Sequence, residues 1–269
     1  VADLPVWTPS HGEVKKVRIL ARQNDYSLTE AATISLQENL NVAGMYLYED
    51  ILGVVSHSFQ YYAMADILLD SSPWQQPEND TYIDIYGVAE PASPNTVSNI
   101  RIDGGLINSR RIDNHLFIAT QFVPNLEDLP DAGTSNRSLV NLYNAILAKN
   151  SSELVPKITI NGQTSDLYQL TDCLLPQRAT EQNGHTQMVS VVKIDLDNPM
   201  NFSSLCLLTE AHGLFASADH LYLHARGEES TIVHKISLGN EIRYQATASV
   251  VGTLGWQSSA QFRLAERDG

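Results

Sequence analysis

Cysteine is nearly absent from this chain: Cys173 and Cys206 are the only two in 269 residues. That excludes a disulfide-built scaffold, and the distance between them in sequence excludes a zinc knuckle. An oxidised pair and two buried free thiols both remain open. Asp172 beside Cys173 disfavours a thiolate there and argues against a catalytic thiol. Long apolar runs are also missing. No stretch approaches the ~18 residues a spanning helix needs, so the expectation is no membrane insertion in this chain. Basic residues are scarce, 17 against 31 acidic ones, for a formal charge of -14. Nucleic acid is excluded as a partner, because the net field opposes the phosphate contacts that supply most of its affinity. The same charge disfavours anionic lipid. Catalytic signatures are lacking as well: there is no G-x-S-x-G, G-x-G-x-x-G, Walker loop or HExxH. No cofactor is expected.

What the sequence does contain is a repeat. A short strand, a Pro-containing turn, a second strand and small polar residues run into Asp/Asn-X-Leu-aromatic. The unit spans Thr81 to Thr120 and again Met188 to Ala225, with a blunter copy from Val14 to Ser56. Leu52, Leu116 and Leu221 serve as equivalent anchors, each at a similar distance after its upstream strand. A further unit beginning at Ile232 would place its anchor near Leu264. Glu49-Asp50, Asp113-Asn114 and Asp219-His220 occupy the matching hairpin positions. Loose repeats of this length signify radial β architecture, in which each small sheet buries its faces against its neighbours. The expected fold is an all-β propeller: about three full four-stranded blades, two strands of another at the N-terminus and one at the C-terminus. Either the two ends complete one blade or the chain is a piece of a longer protein, and the second is the expectation. The opening VADLPVWTPSHG has no basic-then-apolar leader, so any signal peptide has been removed or was never present.

Two stretches interrupt the period within this single domain. Phe59 to Asp80 suggests a helical turn and a loop. The larger insertion, Val123 to Gln187, opens with the acidic PNLEDLPDAG. It continues with Leu139, Leu142, Tyr143, Ile146 and Leu147 at helical spacing, capped by Ser135 or Asn136, and then an extended segment VPKITINGQTSDLYQL. Interruptions of this length in compact domains are usually functional or decorative, rarely accidental.

The stretch from Thr81 to Thr120, the CLLP…VVKIDLDNP stretch and the closing ASVVGTLGWQSSAQFRLAERDG resemble bacterial and archaeal secreted proteins with a C-terminal β-propeller domain of uncharacterised function. Gly252, Gln261-Phe262, Glu266 and Gly269 match that family's terminal signature, while Ser-Ala and Arg-Leu replace its Asn and Ser-Met. The resemblance implies a propeller and an exported location, either secreted or periplasmic and cell-surface. It brings no catalytic residues.

Candidate chemistry is sparse. His220 and His224 are four apart, which on a strand places them ~13 Å from each other, a weak metal pair. Asp195 and Asp197 offer oxygen ligands without the glycine and distal glutamate of an EF-hand, and Glu127, Asp128 and Asp131 do the same. Turn chemistry and solvation account for these residues, so no metal is expected. Tyr46, Tyr48, Tyr61, Tyr62, Trp74 and Tyr82 are candidates for a sugar or peptide groove. The expected function is therefore an exported binding or interaction scaffold that uses its rim loops, the insertion above all, on a protein or carbohydrate ligand. The alternative is a hydrolase or lyase with its active site at the mouth of the propeller channel.

Overall fold

A computed structural model of the chain describes residues 15–37, 40–58, 79–126, 129, 135–175, 187–226, 229–254 and 263–267. The sixteen strands among these residues form four antiparallel sheets. The first contains β1 (Lys16–Arg22) and β2 (Leu28–Ser35). The second runs β3 (Leu40–Tyr48), β4 (Ile51–Ser58), β5 (Asp80–Gly87) and β6 (Asn95–Asp103). The hairpin β9 (Lys157–Ile160) and β10 (Gln163–Asp166) is added to its outer edge. The third sheet has β7 (Gly105–Ile112) innermost, then β8 (His115–Phe122), β11 (Met188–Asp195) and β12 (Phe202–Leu208). In the fourth, β13 (Gly213–Ala216), β14 (His220–Arg226), β15 (Ser230–Leu238) and β16 (Ile242–Val251) follow in chain order. Three blades and an N-terminal pair of strands are thus present, one blade being enlarged to six strands.

Alternation of apolar residues places a core on each side of the blades, because successive side chains on a strand point to opposite faces. Val55, Ile83 and Ile102 of the second sheet meet Leu116, Ile118 and Ile194 of the third. On the third sheet's other face, Phe117, Val189 and Val191 pack against Leu221, Leu223 and Ile236 of the fourth. Val17 and Ile34 of the first sheet cover Val54 and Tyr86 of the second. The sheets therefore stack in chain order, and the inner strand β7 lies against both β3 and β13.

The sequence repeat is out of phase with the blades by two strands. Each unit, β1–β4, β5–β8 or β11–β14, holds the outer two strands of one sheet and the inner two of the next. Two backbone hydrogen bonds recur in this frame. The carbonyls of Asp50, Asn114 and Asp219, in the inner hairpin turns, accept from Val88, Leu196 and Leu238 at 2.7, 2.9 and 2.9 Å. At the other end, the carbonyls of Lys15, Asn79 and Glu229 accept from Leu36, Gly104 and Gly252 at 2.9, 2.8 and 3.0 Å. The first set corrects the hairpin alignment by one residue: Asp219 is the equivalent of Asp50 and Asn114, so Ala218 occupies the position where Glu49 and Asp113 adopt φ of 47° and 51°. Much of the segment expected to hold the C-terminal strand, residues 255–262 and 268–269, lies outside the described residues. Among the described residues no strand follows β16, and Leu264 lies in an irregular segment.

The chain between β8 and β11 does more than loop out. Helix α1 (Asn136–Leu147) begins at Ser135, whose hydroxyl accepts from the Ser138 amide at 3.2 Å. Its apolar face is not buried: Leu139, Tyr143 and Leu147 are 52%, 61% and 64% exposed. The extended segment that follows is the hairpin β9–β10, turned by Asn161 and Gly162 with φ of 50° and 83°. Only residues that tolerate left-handed backbone fit such a two-residue turn, and Asn-Gly is the strongest signal for it. Asn161 also ties the hairpin to β6, its carboxamide oxygen accepting from the Asn99 amide at 2.9 Å. Val155, Ile158, Ile160, Leu167 and Tyr168 then enter the core between the second and third sheets. A short helical turn at Leu170–Asp172 leads to Leu174, whose amide donates to the Cys206 carbonyl at 2.9 Å. There Cys173 and Cys206 are joined as a disulfide, their Cα atoms 4.5 Å apart. The segment is a strap fastened to the outer edges of two adjacent blades.

Candidate functional site: a polar cleft at the rim

Where the strap leaves the blades, it walls a cleft of about 590 Å³ between the second and third sheets. That size is within the usual range for small-molecule sites, ~300–1,000 Å³. The β6–β7 crossover forms one side, the end of β8 another, and Ser152 to Lys157 of the strap the third. Gly104 makes this packing possible. Its φ is +114°, and a Cβ there would sit 2.9 Å from the Gln121 carbonyl oxygen, so a side chain would push the crossover away from β8.

The register of β5 against β6 sets the charged wall by pairing Asp80 with Asp103 and Tyr82 with Arg101. Arg101 extends between the two carboxylates, with Nε 2.9 Å from Asp80 Oδ2 and Nη2 3.5 Å from Asp103 Oδ1. The Tyr82 hydroxyl donates to Asp80 Oδ2 at 3.3 Å, and the Asp80 amide donates to the Ser58 hydroxyl at 3.1 Å. Asp103 turns its other oxygen to the Lys157 amide at 3.0 Å, which docks the strap on the blade. The Lys157 ammonium is occupied in turn by Asp166 and Ser152. Burial pushes the Asp80 carboxyl above its ordinary range, partly offset by the Arg101 charge. Each cation of the wall is therefore engaged by at least one carboxylate, and the lining keeps an excess of negative charge, Asp80, Asp103 and Glu153 against Arg101 and Lys157. The rest of the lining is Ser152, the carboxylate of Glu153, the amides Asn79, Gln121, Asn125 and Gln187, and apolar side chains such as Leu106, Phe122 and Val155. Glu153 faces Lys149 at 3.4 Å and accepts from the Asn150 amide at 3.0 Å.

The residues singled out from sequence lie elsewhere. Asp195 and Asp197 are at the opposite end of the third blade. Asp195 Oδ1 accepts from the Asp197 amide at 3.0 Å, and the Asn114 carboxamide donates to both carboxylates at 3.2 and 3.0 Å. His220 and His224 share one face of β14 but have different neighbours. His220 Nδ1 is 2.6 Å from Glu266 Oε1, out of line for a good hydrogen bond. A hydrogen bond from Ser217, with Tyr222 and His220 adding to it, holds the Glu266 carboxyl below its ordinary range. His224 is 4% exposed and lies over Gly213, and burial followed by the charge of His212 lowers its pKa. Among the described residues no group of three or more His, Cys, Asp and Glu side chains could hold a metal ion. The aromatic set does not form one groove. Tyr46 donates to the Ser109 carbonyl on β7 at 2.8 Å, Tyr48 packs at the same blade junction, and Tyr82 serves the cleft wall. Tyr61, Tyr62, Trp74, Glu127, Asp128 and Asp131 lie outside the described residues, as does the suggested helical turn after Phe59.

The cleft residues were missed because no motif links Asp80, Arg101 and Asp103; only the strand register brings them together. The Asn161-Gly162 turn was a usable signal, since it predicts the hairpin that carries Lys157 to Asp103.

Stacked antiparallel sheets with repeated turn contacts are what a propeller requires, and the family model for the beta propeller domain matches residues 10–269. The chain belongs to the β-propeller domain family. No curated protein matches it. No helix among the described residues is long and apolar enough to cross a membrane. In this propeller the cleft opens at the rim, outside the inner strands β3, β7 and β13, and the strap between β8 and β11 forms part of its wall.

Proposed function

We propose that this propeller is a binding scaffold that seats a protein or carbohydrate ligand in the rim cleft beside Arg101 and Gln121. The carrying observation is the composition of that cleft: a cavity of about 590 Å³ walled by rigid strand ends and lined mainly by hydrogen-bonding side chains. Catalysis is the weaker reading. Of the cleft's three lining carboxylates, Asp80 and Asp103 face Arg101 and Glu153 faces Lys149, so none there stands ready as an acid or base. Export to an oxidising compartment is part of the proposal and is supported by the Cys173–Cys206 bridge, a bond that persists outside the reducing cytosol.

Deleting the strap is a poor test. Its five core residues each contribute roughly 2 kcal/mol of burial, so their loss would unfold the junction. The better test fills the cavity with Gln187→Trp and compares ligand-induced thermal stabilisation with wild type. A ligand at a hundred times its Kd stabilises by about 2.7 kcal/mol. Ligands that stabilise wild type and not the filled variant support the cleft. Ligands that stabilise both equally place binding elsewhere.

A further inference from the structure

We infer that the ligand class of the rim cleft is a neutral saccharide. This deepens the reading of the cleft as a binding site and rests on it. Three observations select the class.

First, the charges are mutually satisfied. Arg101 is held by Asp80 and Asp103, Lys157 by Asp166 and Ser152, and Glu153 by Lys149 and Asn150. An anionic ligand would meet cations already bonded and an excess of carboxylates, and a cationic one would have to displace Arg101, Lys157 or Lys149. Neither sign of charge gains a full interaction.

Second, the polar groups are planar, and Arg101 is held in place. The Arg101 guanidinium sits between two carboxylates in a side chain that is still 44% exposed, and the carboxamides of Gln121 and Gln187 face the same space. Planar guanidinium, carboxylate and amide groups present paired donors or acceptors. Paired donors and acceptors suit vicinal hydroxyls, each of which both donates and accepts. Holding Arg101 beforehand lowers part of the ordering cost that makes polar ligands bind weakly.

Third, the apolar lining is small. Leu106 and Phe122, both partly buried, give a C–H surface against which a sugar ring can lie. A peptide would use a free strand edge and side-chain pockets in place of such a surface. The exposed edge in this region, β10, pairs only with β9 and does not line the cleft.

The test is a titration of the full chain, observed by amide and side-chain NMR. One panel holds neutral gluco-, xylo- and chito-oligosaccharides and a second holds neutral tripeptides, each to about 10 mM, the weak end of specific recognition. The expected result is saccharide-induced shifts at Gln121, Gln187 and Arg101 that persist from 50 to 500 mM salt, roughly as for any uncharged ligand. Gln121→Ala should weaken that binding about tenfold, the upper end of what one net hydrogen bond contributes. Gln187→Ala provides a second variant if the first fails to fold. Shifts at these residues from tripeptides but from no saccharide overturn the ligand class and leave the cleft reading standing. Shifts from neither panel overturn both.

Discussion

Removing the Cys173–Cys206 bridge should loosen the strap and lower the stability of the whole blade junction. The bond closes a loop of 33 residues. In the chain-entropy treatment, a loop of that size is worth about 4 kcal/mol at 25 °C. Unfolding entropy near 2.1 cal/mol/K per residue over 269 residues converts this into a fall in Tm of roughly 7 °C. Cys206 is 1% exposed in the core shared by the second and third sheets, so a single Cys206→Ala would add a cavity and leave a lone thiol. The cleaner comparison is oxidised wild type, reduced wild type and the Cys173→Ala/Cys206→Ala double variant in one differential scanning series. Intact mass should rise by two hydrogens on reduction, and alkylation should label no cysteine until then. Hydrogen exchange should quicken first at Leu174 and Leu208, the amides bonded across the strap and β12. Thiols that alkylate without reductant would refute the reasoning, as would a reduced protein whose Tm is unchanged.

Gly104→Ala should destabilise by about 2 kcal/mol or more, because it forces a left-handed backbone and a clash with the Gln121 carbonyl. Gly105→Ala meets only Asn79 at 3.6 Å and should stay within ~0.5 kcal/mol; urea denaturation of the pair checks both. Asp84→Asn should raise stability at neutral pH. Burial pushes the Asp84 carboxyl up, so its penalty is present in full above the folded pKa and vanishes once pH falls below the unfolded value near 3.9. The gain over wild type should therefore shrink as urea midpoints are followed from pH 7 to pH 3, and a constant gain would contradict this account. Glu266 carries the opposite sign. Its lowered pKa means that its contacts with Ser217 and His220 help at neutral pH and are lost on acidification, visible as faster exchange near Tyr222 below pH 4 or so.

The propeller was legible in the sequence because its repeat is written in short-range terms: β-branched strands, Asx turns and one anchoring leucine per unit. Leu116 and Leu221 are fully buried, as anchors should be. The frame of the repeat was not legible. A unit that joins the outer half of one blade to the inner half of the next has the same period as a blade, and only strand pairing separates the two. Helix α1 was readable from the spacing of Leu139, Tyr143 and Ile146, yet that spacing gives no information on whether the face is covered. The cleft lay furthest from view. Asp80, Arg101 and Lys157 come from a strand start, a strand end and the strap, and they meet because β6 pairs with β5 on one side and with β9 on the other. Conversely, Asp195, Asp197 and His220 stood out in sequence as chemistry and are engaged by Asn114 and Glu266 in local contacts.

The most direct test of the rim cleft as the working surface is a crystal structure of the protein soaked with the tightest ligand from the saccharide panel. The account predicts density between Arg101, Gln121 and Lys157, with ring carbons against Phe122. Density at the channel mouth formed by β3, β7 and β13, with the rim cleft empty, would contradict it and favour an active site there.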